Sequence, residues 1–358
     1  MGLKPYRRLI ILIGIAAFIK IFSLFPFAVE KYYSTGIYPV MARLLRILFG
    51  WIPFSVGDIF YIVTGTYFLY QLISVCKRLF RKQVNSAFFF HVVHIFIQWV
   101  LAIYIVFNIT WGLNYNRRGI DYQMQLEVHP YDNKTLQSVL QLIVIRLNEL
   151  DSASHVARNE LNKKAFLFDN AVQSYNEVSG GNSFLVYNSP SVKPSIFSYF
   201  GNYLGFSGYY NPFSGEAQVN TTVPVYVRPF TTCHEIGHQL GYAKENEANF
   251  AGYLSAKSSN NPAFRYSVYF DLYLYAASEL YIRDSTLLVP LREQLNPSIR
   301  KDFRDLKEFF RKYENPFEPY IRKMYGRYLK ANDQPKGIMT YDEVTGRIVA
   351  YYNKYKTI

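Results

Sequence analysis

The run Thr231-Thr232-Cys233-His234-Glu235-Ile236-Gly237-His238-Gln239-Leu240-Gly241 decides how the larger, C-terminal part of the chain is read. It contains H-E-x-x-H. On a helix, His234 and His238 fall one turn apart on the same face, so both imidazoles reach a single zinc ion at about 2.0–2.1 Å. Glu235 projects beside them and is placed to take a proton from a water on the metal, making hydroxide available near neutral pH. Pro229 suits the first helical turn, and Ile236 and Leu240 supply a face to bury. With six His in 358 residues, chance produces such a match on the order of 0.01 times per chain. Cys233 is expected to pack as a small apolar residue. Together with Cys76 it builds neither a disulfide framework nor a Cys-based zinc site.

A catalytic zinc takes a third protein ligand and leaves one position open. The segment Lys244-Glu245-Asn246-Glu247-Ala248-Asn249-Phe250 offers two carboxylates for it, after a sharp turn at Gly241. Glu245 and Asn249 are four apart on one helical face, so Glu245 suits the metal and Asn249 suits a hydrogen bond that orients a ligand. Glu247 is the other choice. About 200° of rotation separates it from Glu245, and either acid also suits a helix start for reasons of the dipole alone. H-E-x-x-H followed by E-x-x-A-[D/N] resembles the gluzincin branch of zinc metallopeptidases. That resemblance implies His234, His238 and Glu245 as ligands and Glu235 as general base. Only six residues separate His238 from Glu245, closer to the compact metzincin spacing. The whole chain, with Trp111-Gly112-Leu113-Asn114-Tyr115 after the apolar third, resembles an uncharacterised family of bacterial membrane proteins classed among the zincins by this motif.

Upstream of the motif, residues 180–228 are rich in Tyr, Phe, Ser, Gly, Pro and Val and carry turn signals at 188–190, 206–208 and 211–215. They read as a small antiparallel sheet. Zincins resemble one another in setting an edge strand above the metal, where an extended peptide pairs with it. Gly215, Glu216, Ala217 and Gln218 are the candidates for that substrate-binding strand. An oxyanion donor is also required, and Tyr209, Tyr210, Tyr273 and Tyr341 are candidates among 33 tyrosines.

The net charge of +13 invites a nucleic-acid reading. Its distribution removes it: the first 110 residues hold eleven Lys and Arg against only Glu30 and Asp58, and these residues are the apolar ones. Three stretches, about 9–29, 56–75 and 87–109, approach the ~20 apolar residues of a membrane span. A cleaved signal peptide competes for the first stretch, but no small-x-small site follows it and two further spans do, so a retained anchor is expected. Lys4, Arg7, Arg8, Lys77, Arg78, Arg81 and Lys82 share one side, which the positive-inside rule makes cytoplasmic. The third span then delivers residues 111–358 outside. The segment from Tyr38 to Trp51, with Arg43 and Arg46 on one face, is expected to lie along the membrane. His91 and His94, three apart in the third span, are expected to pack between helices rather than bind metal.

Downstream, Leu136, Val139, Leu140, Ile143, Val144, Leu147 and Leu150 recur at helical spacing. Further helices are expected near 159–178, 229–241, 245–257, 263–283, 297–313, 316–330 and 341–355. The expected architecture is therefore an α-helical membrane anchor of three transmembrane helices (1–110), followed by an α+β zincin-like domain (111–358), mostly helical with a small antiparallel sheet. The expected function is a membrane-anchored, Zn2+-dependent metallopeptidase of the bacterial inner membrane, its catalytic domain extracytoplasmic. Its partners would be a peptide or protein substrate and the lipid bilayer, with no nucleic acid. The alternative is a catalytically inactive zincin-like scaffold that keeps the metal. Catalysis inside the bilayer is disfavoured, because the motif stands more than a hundred residues beyond the last span.

Overall fold

The computed structural model describes residues 6–332, 334 and 341–358, with side chains in the last helix from Glu343 onward. The N-terminal part holds α1 (Arg7–Ser23), a single turn α2 (Pro26–Ala28), a π-helix (Val29–Ile37), α3 (Tyr38–Phe49), α4 (Val56–Phe80) and α5 (Ser86–Thr110). Next come α6 (Gly119–Met124), α7 (Asn133–Ala157), α8 (Lys164–Ser179), β1 (Val192–Pro194), α9 (Ser198–Leu204), β2 (Gly208–Asn211) and β3 (Glu216–Val219). The remainder is helical: α10 (Arg228–Gln239), α11 (Glu245–Ser258), α12 (Pro262–Asp284), α13 (Leu288–Glu293), α14 (Pro297–Lys312), α15 (Glu318–Ala331) and α16 (Tyr341–Tyr355).

Helices α4 and α5 are each 25 residues long and apolar enough to cross a membrane, at a length of about 37 Å. The first expected span is different. Its helix stops at Ser23, and after a bend of 96° the chain continues as the helical stretch Pro26–Phe49, so the pair is a broken span or a re-entrant loop. Pro26 explains the break: it donates no backbone hydrogen bond and drives Phe25 out of helical geometry (φ −113°, ψ 80°). His94 contacts Gln98 across a turn (2.6 Å) and meets the Tyr6 ring edge-on, a packing role within the helices.

Beyond residue 110, α7 shows why the helical periodicity is readable. Asp132 caps it by accepting the Thr135 N–H (2.8 Å), and Leu136, Val139, Leu140, Ile143, Val144 and Leu147 are all buried. That stripe packs on α12, the central helix, which also touches α10, α11 and α16. The expected helices over 229–355 all form, with ends shifted by a residue or two. The α9 helix, by contrast, lies inside the stretch expected to be sheet.

The sheet is mixed rather than antiparallel, in the order β1-β3-β2. A tight turn through Gly215 joins β2 to β3 as a hairpin, so that pair is antiparallel. A long connection carrying α9 and β2 brings the chain from β1 back to β3, and that pair runs parallel. The strand expected to be the edge is therefore the centre. Gly215 sits in the turn, and Glu216, Ala217 and Gln218 are fully covered by both neighbours and by the start of α4.

Glu216 has a structural task there. Its carboxylate accepts the N–H groups of Val56 (3.1 Å) and Gly57 (2.6 Å) and the hydroxyl of Ser214 (2.8 Å). An acid thus neutralises the positive end of the long apolar helix α4. Two residues further on, Asp58 accepts the Ile196 N–H (2.7 Å) and the hydroxyls of Ser195 (3.3 Å) and Tyr209. The packing consequently does not divide at residue 110. Glu30 in the π-helix pairs with Arg117 through two bonds of 2.7 and 2.9 Å, and Arg46 on α3 donates to the carbonyls of Asn188 and Ser189 (3.2 Å each). Segment 29–58 belongs to the same packed body as the sheet. Arg46 turns inward, while Leu44, Ile47, Leu48 and Trp51 keep an exposed apolar face. Substituting Glu216→Ala is expected to lower stability by about 3 kcal/mol, because two buried helix donors lose their acceptor. Thermal unfolding of the full chain in detergent measures it.

Candidate metal centre

Helix α10 begins with Pro229 in its first turn and buries Cys233 and Ile236 completely. The Cys233 carbonyl accepts the Tyr175 hydroxyl (2.7 Å), and burial pushes its thiol up to about 12, consistent with a packing residue. Helix α11 crosses α10 closely. A Cβ at Gly252 would stand 3.0 Å from the His234 nitrogen, and one at Gly237 would stand 3.2 Å from the Ala248 carbonyl oxygen. Small residues at this crossing bring the face of α11 that carries Glu245 and Asn249 beside the two histidines.

His234 and His238 stand edge to face, with ring centroids 4.6 Å apart. His234 Nδ1 faces Asn249 Oδ1 at 2.8 Å, and His238 Nδ1 faces the Tyr242 carbonyl at 2.7 Å. Both partners are acceptors. They hold the proton on each Nδ1 and leave each Nε2 lone pair directed into the site. Glu245 lies across those nitrogens, 3.3 Å from His234 Nε2 and 3.9 Å from His238 Nε2. Glu235 is close as well, since a ligand atom from each of His234, Glu235 and His238 lies within 4.8 Å of the others. Their partners separate the two carboxylates: Glu245 also accepts the Tyr325 hydroxyl (2.6 Å), whereas Glu235 Oε2 is buried without a partner. Glu247 is two residues from Glu245 but turned away beneath Gly119, on the Arg117 side of the helix.

The electrostatics favour a cation. Burial pushes Glu235 up to about 8, against an opposing pull from His234. Burial acts to raise Glu245 too, yet the hydrogen bond and charge of the two histidines hold it down at about 2. His234 resists its own burial through Glu245 and Glu235 and stands at about 9, while burial and the neighbouring His234 charge lower His238 to about 4. Near neutral pH Glu235 thus carries a proton and His234 is an imidazolium against the Glu245 carboxylate; a dication would displace the protons from Glu235 and from His234 Nε2 and free that lone pair. Two imidazole nitrogens, one carboxylate bridging them and a second carboxylate with a free buried oxygen form a donor set that fits zinc.

The centre opens into a cavity of about 1410 Å3, whose wall includes Gly208 and Tyr210 of β2, Asp271 of α12 and Tyr325 of α15. Asp271 is raised by burial to about 7. A separate hollow of about 560 Å3 between Lys31 and Leu44 contains none of these groups. Of the tyrosines proposed from sequence, Tyr209 is tied to Asp58 and Ser195, and Tyr273 is stacked on Phe303 in the core. Tyr210 is buried against Trp111. The Tyr341 side chain lies outside the described residues. Tyr325 was not singled out, and only the folding of α15 over the site brings it to Glu245.

Gly208 provides a sensitive test of this geometry. A Cβ there would meet Glu235 Oε1 at 2.6 Å and its Cγ at 2.8 Å. Gly208→Ala is therefore expected to push the Glu235 carboxylate aside and lower any turnover roughly a hundredfold, on the scale of losing an oriented general base, while zinc content measured by mass spectrometry stays unchanged.

No curated protein and no solved structure matches the chain. A family model described as "Protein of unknown function (DUF3810)" matches residues 33–349, taking in the second half of the π-helix, both long apolar helices, the sheet and the His-Glu-His cluster alike. By that match over most of its length, the chain belongs to the DUF3810 family.

Proposed function

We propose that the protein is a membrane-anchored, zinc-dependent metallopeptidase of the bacterial inner membrane, with His234, His238 and Glu245 as metal ligands and Glu235 as general base. One observation carries this reading. Two histidine Nε2 atoms face one carboxylate while the unpartnered Oε2 of a second, Glu235, is buried beside a large cavity. When bound, zinc supplies a Lewis acid and acidifies its water toward neutral pH. Glu235 would accept the water proton; its carboxyl, held near 8 by burial and by the Glu245 charge, would fall with a cation beside it and so become an available base. The oxygen adds to the amide carbon, the C–N bond breaks, and Glu235 returns the proton to the leaving nitrogen. Burial and the Glu245 charge keep Tyr325 protonated, and its one proton goes to Glu245 (2.6 Å), which fixes the carboxylate that would hold the metal.

Turnover of a fluorogenic peptide mixture by the purified full chain, lost with chelator and restored by zinc, tests the activity. Zinc-loaded protein that cleaves nothing would leave a scaffold role in its place. The basic N-terminus and the 77–82 loop support an outward-facing site. A reporter fused after Tyr115 is expected to be active outside the cytoplasm, and cytoplasmic activity there would reverse the topology.

A further inference from the structure

The cavity that holds the metal centre is not confined to the outer domain. Its wall continues onto Tyr61 of α4 and Val100, Ile103, Tyr104 and Phe107 of α5, the two helices long and apolar enough to cross a membrane. Val100 is ten residues from the end of α5 at Thr110, a depth of about 15 Å. One leaflet's share of a ~30 Å hydrocarbon core is about the same. With the end of α5 at the membrane surface, the cavity would run from the histidines through one leaflet and stop near mid-membrane. Its rim is apolar as well. Phe200 of α9 lines it and is 59 % exposed, with Phe197 and Ile321 beside it, and the two charged residues that α15 adds, Glu318 and Arg322, are paired with each other (2.9 Å). Aromatic side chains of this kind settle at the headgroup level of a bilayer. At the inner end, β2 is an edge of the sheet, and Gly208, Tyr209 and Tyr210 face the cavity beside Glu235.

Resting on the hydrolase reading for what is cleaved, we propose that the substrate is a lipid-anchored peptide. Its acyl chain enters beside Val100–Phe107, and the peptide next to the anchor lies along β2 at the metal centre. The depth of the cavity selects this occupant. A transmembrane segment would need a face through both leaflets, whereas an acyl chain occupies one. The lining also offers aliphatic and aromatic side chains without charge along the part of α5 concerned.

The test separates binding from turnover. In zinc-loaded Glu235→Gln protein reconstituted into phosphatidylcholine nanodiscs, photoreactive benzoylphenylalanine is placed at Ile103, inside the cavity, or at Phe96, exposed on the same helix outside it. The probe is an N-palmitoylated, biotin-tagged decapeptide. At least tenfold more crosslinking is expected at residue 103 than at 96, suppressed by excess untagged lipopeptide. Equal crosslinking at the two positions overturns the proposal, as does stronger crosslinking at 103 by a tagged 20-residue apolar helix. With active protein, the palmitoylated peptide is expected to be cleaved at least tenfold faster than its unacylated twin, and equal rates overturn the proposal. Selective crosslinking at 103 without cleavage of either peptide supports lipopeptide binding and refutes the hydrolase reading instead.

Discussion

Replacing Glu235 with Gln is expected to lower peptide turnover by about 10²–10⁴-fold, the usual contribution of a positioned general base, while zinc stays bound at full occupancy. The amide keeps the shape of the carboxylate and its contact with Gly208, so the packing of α10 against β2 survives. What disappears is the basic oxygen, the one buried oxygen of the centre that no protein group engages. Steady-state kinetics alongside metal analysis on the same preparation checks both halves. A Glu235→Gln protein with wild-type turnover would remove Glu235 from the chemistry. One that loses zinc would make Glu235 a ligand.

The second large effect concerns Glu245. Glu245→Ala is expected to weaken zinc binding by more than a hundredfold, because it removes the carboxylate that spans both Nε2 atoms. Asn249→Ala, which frees the His234 ring at Nδ1, is expected to cost only the roughly ten- to hundredfold typical of an outer hydrogen-bond partner. Glu247→Ala should leave zinc bound, since that carboxylate faces Gly119 rather than the histidines. Competition with a chelator of known affinity ranks the three. Tight binding in Glu245→Ala, with loss in Glu247→Ala, would move the ligand two residues along the helix.

Those three substitutions also mark how far the sequence could be read. The i, i+4 relations of His234 with His238 and of Glu245 with Asn249 are local, so helix geometry alone orients each pair. The distance between the pairs is set by the close crossing at Gly237 and Gly252, which no periodicity announces. Pro26 was visible inside the first apolar stretch and is the residue that breaks it. The strands escaped because each has three or four residues, too few for alternation to distinguish an edge from a centre. Glu216 looked like a substrate contact because its partners, Val56 and Gly57, lie about 160 positions upstream. Tyr325 reaches Glu245 across 80 positions, and composition cannot choose it from 33 tyrosines.

The C-terminal end of the histidine helix is finished by residues that precede it in the chain. Tyr38 (2.9 Å) and Arg46 (3.4 Å) donate to the Gln239 carbonyl, Trp111 to the His238 carbonyl (3.1 Å) and Arg117 to the Gly241 carbonyl (3.1 Å). A helix end left without such donors is costly to bury. All four are synthesised before His234, so the end of α10 finds its donors already made. Completion of the histidine helix is then tied to chain order: without segment 38–117 in place, its last carbonyls lack these donors. Cleavage between Trp111 and Arg117 would separate three of the four donors from the helix they finish. Such a cut would loosen the turn that carries His238.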